Sequence, residues 1–121
     1  MKRTIKVGDK ELEFEASLGT ADLFEILTGE NLFEQLAEYR NITEGDPRSY
    51  ALIGVYKKMM FVMNAQAETE DVSLLRGKMT FEQYYTWTSQ FELTDVNMDV
   101  IAEVVKLWND NKKSNATPKN P

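Results

Sequence analysis

Twenty carboxylates, no histidine and no cysteine set the terms for any chemistry this chain can do. Glu11, Glu13 and Glu15 alternate, so a strand would place them on one face. A metal ion could offset their mutual repulsion, but no histidine or loop of calcium-ligand spacing accompanies them, and a solvated strand face is the plainer reading. Glu34 and Glu38 meet at i,i+4 on a helix with no lysine partner, which again describes a solvated face. The missing histidine removes the usual general base at neutral pH and the commonest transition-metal ligand. The missing cysteine removes disulfides and thiolate metal sites. The six glycines are scattered singly, so no phosphate-cradling loop exists, and no serine sits in a Gly-x-Ser-x-Gly setting. No catalytic residue, metal site or cofactor is expected, and the chain reads as non-catalytic.

The remaining residue types with recognition potential are aromatic and thioether. Phe81, Tyr84, Tyr85, Trp87 and Phe91 put five aromatics into eleven residues. Tyrosine and tryptophan concentrate at interface hot spots. Met59, Met60, Met63 and Met79 could form an adaptable groove. A small domain also needs large side chains to fill its core, and core packing is the plainer reading of both groups.

The elements that position these residues follow from periodicity. Thr4 to Val7 and Glu11 to Ala16 alternate around Gly8-Asp9-Lys10, which predicts a β-hairpin over 4–16 with one apolar side. Isolated hairpins are marginal, so that side should lie on helices. Thr20 is a candidate cap for a short helix carrying Leu23, Phe24 and Leu27, stopped by Gly29. Asn31 with Glu34 forms a capping-box pattern before Leu32, Phe33, Leu36 and Tyr39. Asp46-Pro47 predicts the start of the longest helix, running to about Ala67, apolar round most of its cylinder and therefore central. Glu68 to Asp71 ends it, and a single turn at Ser73 to Leu75 precedes Gly77. Thr80 and Gln83 form a second capping box, and Thr94 or Asp95 is the candidate cap of a last helix bearing Val100, Ile101, Val104, Val105, Leu107 and Trp108. The fold class is therefore α+β: one mainly helical domain over 1–109, with an N-terminal hairpin on about five helices. Residues 110–121 have almost nothing apolar to bury and are expected to form a disordered polar tail.

At 121 residues the chain suits one domain with a modest core. No apolar run approaches the roughly 20 residues of a membrane span, and Met1-Lys2-Arg3-Thr4 leads into an alternating pattern, so neither membrane insertion nor secretion is expected. The net charge of −6 is uneven: Asp9 to Asp46 holds eleven acids against Lys10 and Arg40. Such a body repels phosphate backbones, so nucleic acid is an unlikely partner class. The acidic third reads first as a solubilising face and second as a surface for a basic partner.

Four segments, in order, carry a family resemblance. Ala21-Asp22-Leu23-Phe24-Glu25-Ile26-Leu27-Thr28-Gly29-Glu30-Asn31-Leu32 is similar to the Leu-Phe-x-x-Leu-x-Gly-x-Asp-Leu segment of small tail assembly chaperones from long-tailed bacteriophages and prophages of Gram-positive hosts. The Met- and Ala-rich stretch Met59 to Ala67 follows. Met79-Thr80-Phe81-Glu82-Gln83-Tyr84-Tyr85-Thr86-Trp87 resembles that family's Thr-x-Glu-x-(aromatic)-x-x-Trp helix start. Leu107-Trp108-Asn109-Asp110-Asn111, with its Lys/Pro-containing tail, resembles the family's ending. Asn31 stands where the family more often has an acid, and caps a helix equally well.

The resemblance implies a non-enzymatic protein of the bacterial host cytoplasm, not expected in the mature virion. It would coat the tape measure protein, keep its apolar helices soluble and help recruit the major tail protein. Self-association into arrays is compatible with coating a long client. A client groove is expected beside the last two helices, at Tyr84, Trp87, Phe91 and Trp108. The family also implies a longer product made by frameshifting, and Pro118-Lys119-Asn120 can be encoded by a slippery run that sequencing the codons would test. The alternatives are a structural virion protein, such as a head–tail connector or tail completion protein, and a small acidic protein-binding regulator.

Overall fold

The computed structural model describes residues 1–43 and 45–116, with backbone alone over 112–116. Strands β1 (Lys2–Val7) and β2 (Lys10–Glu15) pair antiparallel, with Ile5 opposite Leu12 and Val7 opposite Lys10. This register puts Ile5, Val7 and Phe14 on one face, and all three are buried, as is Ala16 beyond the strand end. Burying side chains of this size is worth roughly 1.5–3 kcal/mol each for the larger ones, and the hairpin is held on the helices by that face. On the other face Glu15 lies opposite Lys2, Glu13 opposite Thr4 and Glu11 opposite Lys6, so two of the three alternating acids are answered by lysines across the ladder. Gly8 turns the hairpin at φ 64°, and a side chain there would meet the Asp95 carboxyl group at 2.6 Å.

Helix α1 (Leu18–Thr28) is capped by Ser17, not Thr20. The Ser17 hydroxyl accepts from the Gly19 amide, and Thr20 returns the bond by accepting from the Ser17 amide at 3.1 Å. The buried Thr20 hydroxyl also donates to Gln66 at 2.7 Å, tying the start of α1 to the central helix. Gly29 closes α1 in the left-handed region at φ 78°. Asn31 caps α2 (Leu32–Glu38) by accepting from the Glu34 amide.

The central helix α3 (Ser49–Glu68) begins two residues later than Pro47. Asp46 still organises its entry, accepting from the Arg48 amide and pairing with its guanidinium at 2.8 Å. From Met59 to Asn64 every residue of α3 is buried, because the hairpin, α1 and the later helices surround it. A 3-10 turn (Val72–Leu74) leads into the one-turn helix α4 (Leu75–Lys78), and Thr80 caps α5 (Phe81–Thr88) by accepting from the Gln83 amide.

Helix α6 (Met98–Ala116) departs from expectation at both ends. Its cap is Asn97, which accepts from the Val100 amide, not Thr94 or Asp95. Asp95 is engaged instead with the Glu92 amide, beside Gly8. The helix continues past Asn109 to Ala116, so Asp110 to Ala116 are not an unstructured tail. Asp110 pairs with Arg3 of β1 at 3.0 Å and with Lys106 at 3.2 Å, and Asn111 is buried. Residues 117–121 of the expected tail, including Pro118, Lys119 and Asn120, lie outside the described residues. The observed class is α+β and mainly helical. No helix among the described residues is long and apolar enough to cross a membrane.

Candidate protein-docking surface

The four residues expected to line a groove do not form one. Tyr84 and Trp108 are buried, at 7% and 6% exposure, while Trp87 and Phe91 are half-buried. Tyr84, Trp87 and Phe91 do come together: Phe61 of α3 meets Tyr84 and Trp87 edge-on, each at 5.7 Å, and Trp87 meets Phe91 at 5.0 Å. Trp108 packs elsewhere, 5.9 Å from Phe33 of α2. These contacts place Tyr84 and Trp108 in the core and Trp87 and Phe91 at its margin. A core of this size has few other large side chains with which to fill the space around α3.

Trp87 is also a polar strut. Its indole Nε1 donates to Asn64 Oδ1 at 2.9 Å, and Asn64 Nδ2 donates to the Glu13 carbonyl at 2.7 Å. One buried amide thus joins the hairpin, α3 and α5, each of its groups satisfied. Met59, Met60, Met63 and Met79 are likewise buried, so the thioethers fill the core and offer no surface groove.

What α5 presents outward is Phe81 and Tyr85, 65% and 60% exposed, their rings 6.0 Å apart. Sequence reading named both as part of the aromatic helix without selecting them. A signal was available: Glu82, Thr86 and Ser89 lie on the side of the helix that Tyr85 shares, which marks that side as the solvated one.

Phe81 borders a groove of about 480 Å³ between α1, α2, α3 and α5. Leu27, Tyr39, Val55 and Tyr84 supply apolar wall, and Glu30 and Gln35 stand at its α2 side. Gly54 leaves its floor open, since a side chain there would touch nothing within 4 Å. Lys58 lies over the Tyr84 ring at 5.8 Å. Burial pushes the Tyr84 phenol above its ordinary range, outweighing a hydrogen bond with Thr88, so the wall stays uncharged there at neutral pH. A second hollow of about 380 Å³ lies between α3 and α6, lined by Leu52, Ile53, Tyr56, Met98 and Ile101.

Among the described residues, no group of three or more acids is placed to hold a metal ion. Comparison of the chain with protein-family models, with curated proteins and with solved structures finds no match.

Proposed function

We propose that this chain is a non-catalytic phage tail assembly chaperone. It binds and solubilises the tape measure protein in the bacterial host cytoplasm and helps recruit tail tube subunits. The reading is carried by the ordered resemblance of four segments, from Ala21–Leu32 to Leu107–Asn111. Two features support it physically. The aromatic helix in the third of those segments exposes Phe81 and Tyr85 beside an open apolar groove, as a binder of apolar helices requires. The strongly acidic surface keeps such a protein dispersed while it handles a greasy client.

The alternative of a structural virion component is separated from this reading by composition of the finished particle. Quantitative mass spectrometry of purified virions should find the tape measure protein and no stoichiometric amount of this chain. Its presence at a fixed copy number per particle would instead make it a connector or completion protein.

A further inference from the structure

We infer that the outer edge of β1 takes an extended segment of a different protein as a third strand, with carboxylates set opposite Lys2 and Lys6. The inference rests on the hairpin alone and stands whether or not the chain is a chaperone.

Three observations carry it. The first is the direction of the backbone groups. The Ala16 amide donates to the Met1 carbonyl at 2.9 Å, and the Met1 amino group donates to the Ala16 carbonyl at 3.1 Å. Met1 and Ala16 are therefore a hydrogen-bonded pair of the antiparallel ladder. Alternation along the register makes Arg3, Ile5 and Val7 the other residues of β1 that bond to β2. Lys2, Thr4 and Lys6 turn their N–H and C=O groups the other way. All three residues are exposed. Among the described residues, no hydrogen bond reaches those outward backbone groups. Helix α6 holds Arg3 through Asp110, on the face that carries Ile5 and Val7, and leaves the edge itself open.

The second observation is that the other edge is closed. The Glu13 carbonyl faces outward from β2 and already accepts from Asn64 Nδ2 at 2.7 Å, with α3 packed along that strand. The sheet thus has one covered edge and one open edge, and an open edge is a template for a further strand.

Charge selects the strand. The side chains of Lys2, Thr4 and Lys6 share the outer face, and among the described residues neither lysine is within ion-pair distance of an acid. A second copy pairing its own β1 here at full overlap sets Lys2 against Lys6 twice, and like charges directly opposite repel. The β2 edge of a second copy is barred by its own Asn64 and α3. Edge lysines discourage self-pairing, whereas a strand with two acids four residues apart answers both of them. Each lysine then lies between two carboxylates, since Glu15 and Glu11 already stand opposite Lys2 and Lys6 on the β2 side.

The test uses the full chain and two peptides of about eight residues, an ordinary strand length. Both alternate threonine and valine; one carries glutamates at two positions four apart, the other lysines. Amide hydrogen exchange, followed by nuclear magnetic resonance, should be slow at Ile5 and Val7 and fast at Thr4 and Lys6 in the free chain. Saturating glutamate peptide should slow Thr4 and Lys6 at least about tenfold, and the lysine peptide should bind about tenfold more weakly. Thr4→Pro removes one outward N–H and leaves every ladder bond of the hairpin in place; it should weaken the glutamate peptide about tenfold. Thr4→Val keeps the N–H and should bind as the unaltered chain does. Lys2→Glu together with Lys6→Glu should reverse the preference between the two peptides, an effect that mere loss of folding does not produce. Circular dichroism establishes that each variant is folded. Four results would each overturn the inference: no binding of the glutamate peptide at about 1 mM, equal binding of the two peptides, undiminished binding to folded Thr4→Pro, or an unaltered preference in the double lysine variant. Slow exchange of Thr4 and Lys6 in the free chain, with a dimer in sedimentation, would show a second copy on the edge and overturn it as well.

Discussion

Replacing Asn64 with leucine tests whether Trp87 is a structural strut and not a client contact. Leucine has nearly the same shape, so little cavity is created. It strands two groups at once: the Trp87 indole N–H, now 2.9 Å from its acceptor, and the Glu13 carbonyl, now 2.7 Å from its donor. An unsatisfied buried group costs about 1–3 kcal/mol. Trp87 is half-buried and the Glu13 carbonyl lies beneath an exposed side chain, so both fall at the low end, and the expected loss is about 2 kcal/mol. For a domain of this size that lowers the melting temperature by about 8 °C. Trp87→Phe keeps the edge contacts with Phe61 and Phe91 but removes the donor. Because the same hydrogen bond cannot be lost twice, the double variant should be about 1 kcal/mol more stable than additivity predicts. The assay is denaturant unfolding followed by far-ultraviolet circular dichroism. An Asn64→Leu loss below about 0.5 kcal/mol, or strict additivity with Trp87→Phe, would refute the strut.

Further expectations follow from other contacts. Gly54→Ala should stabilise the fold by about 0.5–1 kcal/mol, since a methyl group there meets open space and the helix loses a flexible residue; a denaturation midpoint that falls would contradict this. Gly8→Ala should cost about 2 kcal/mol, from a positive φ and from a Cβ within 2.6 Å of the Asp95 carboxyl, and Asp95→Ala in the same chain should recover part of it. Asp110 has its carboxyl held below the usual carboxylate range, chiefly by the hydrogen bond from Arg3 and then by that from Lys106. A depressed folded value means the contribution is present above the ordinary carboxylate pKa and is lost as pH falls through the lowered one. Asp110→Asn should therefore be less stable than the unaltered chain at neutral pH and equal to it in strong acid, with faster amide exchange in the last turns of α6.

Where local chemistry decided the structure, the sequence was readable. Alternation over Thr4 to Ala16 gives a hairpin because only one register buries Ile5, Val7 and Phe14 together. Asn31, Thr80 and Gly29 cap where they were expected to, since each cap is satisfied within a few residues. The misses are decided at long range. Ser17 and Thr20 both suit a cap, and Thr20 is drawn inward by Gln66, 46 positions away. Asp95 looks like a cap for α6 but is committed beside the hairpin turn, leaving Asn97 to do it. Asp110 looks like the first residue of a polar tail, and Arg3, across 107 positions, keeps it in the helix. The candidate site was the least legible part. Helix α5 carries two aromatic stripes, Tyr84 with Trp87 and Phe81 with Tyr85, and which one faces the core depends on Phe61 and Asn64 of α3. Of the four residues expected at a groove, Tyr84 forms part of the groove wall beside α5 and the other three lie off it.

The central claim is most directly tested by affinity purification of the N-terminally tagged chain from phage-producing cells, with mass spectrometry of everything retained. The chaperone account predicts recovery of a very long helical phage protein, together with peptides of a C-terminally extended form of this chain. Recovery of portal or connector proteins alone, or of no phage protein, would contradict it.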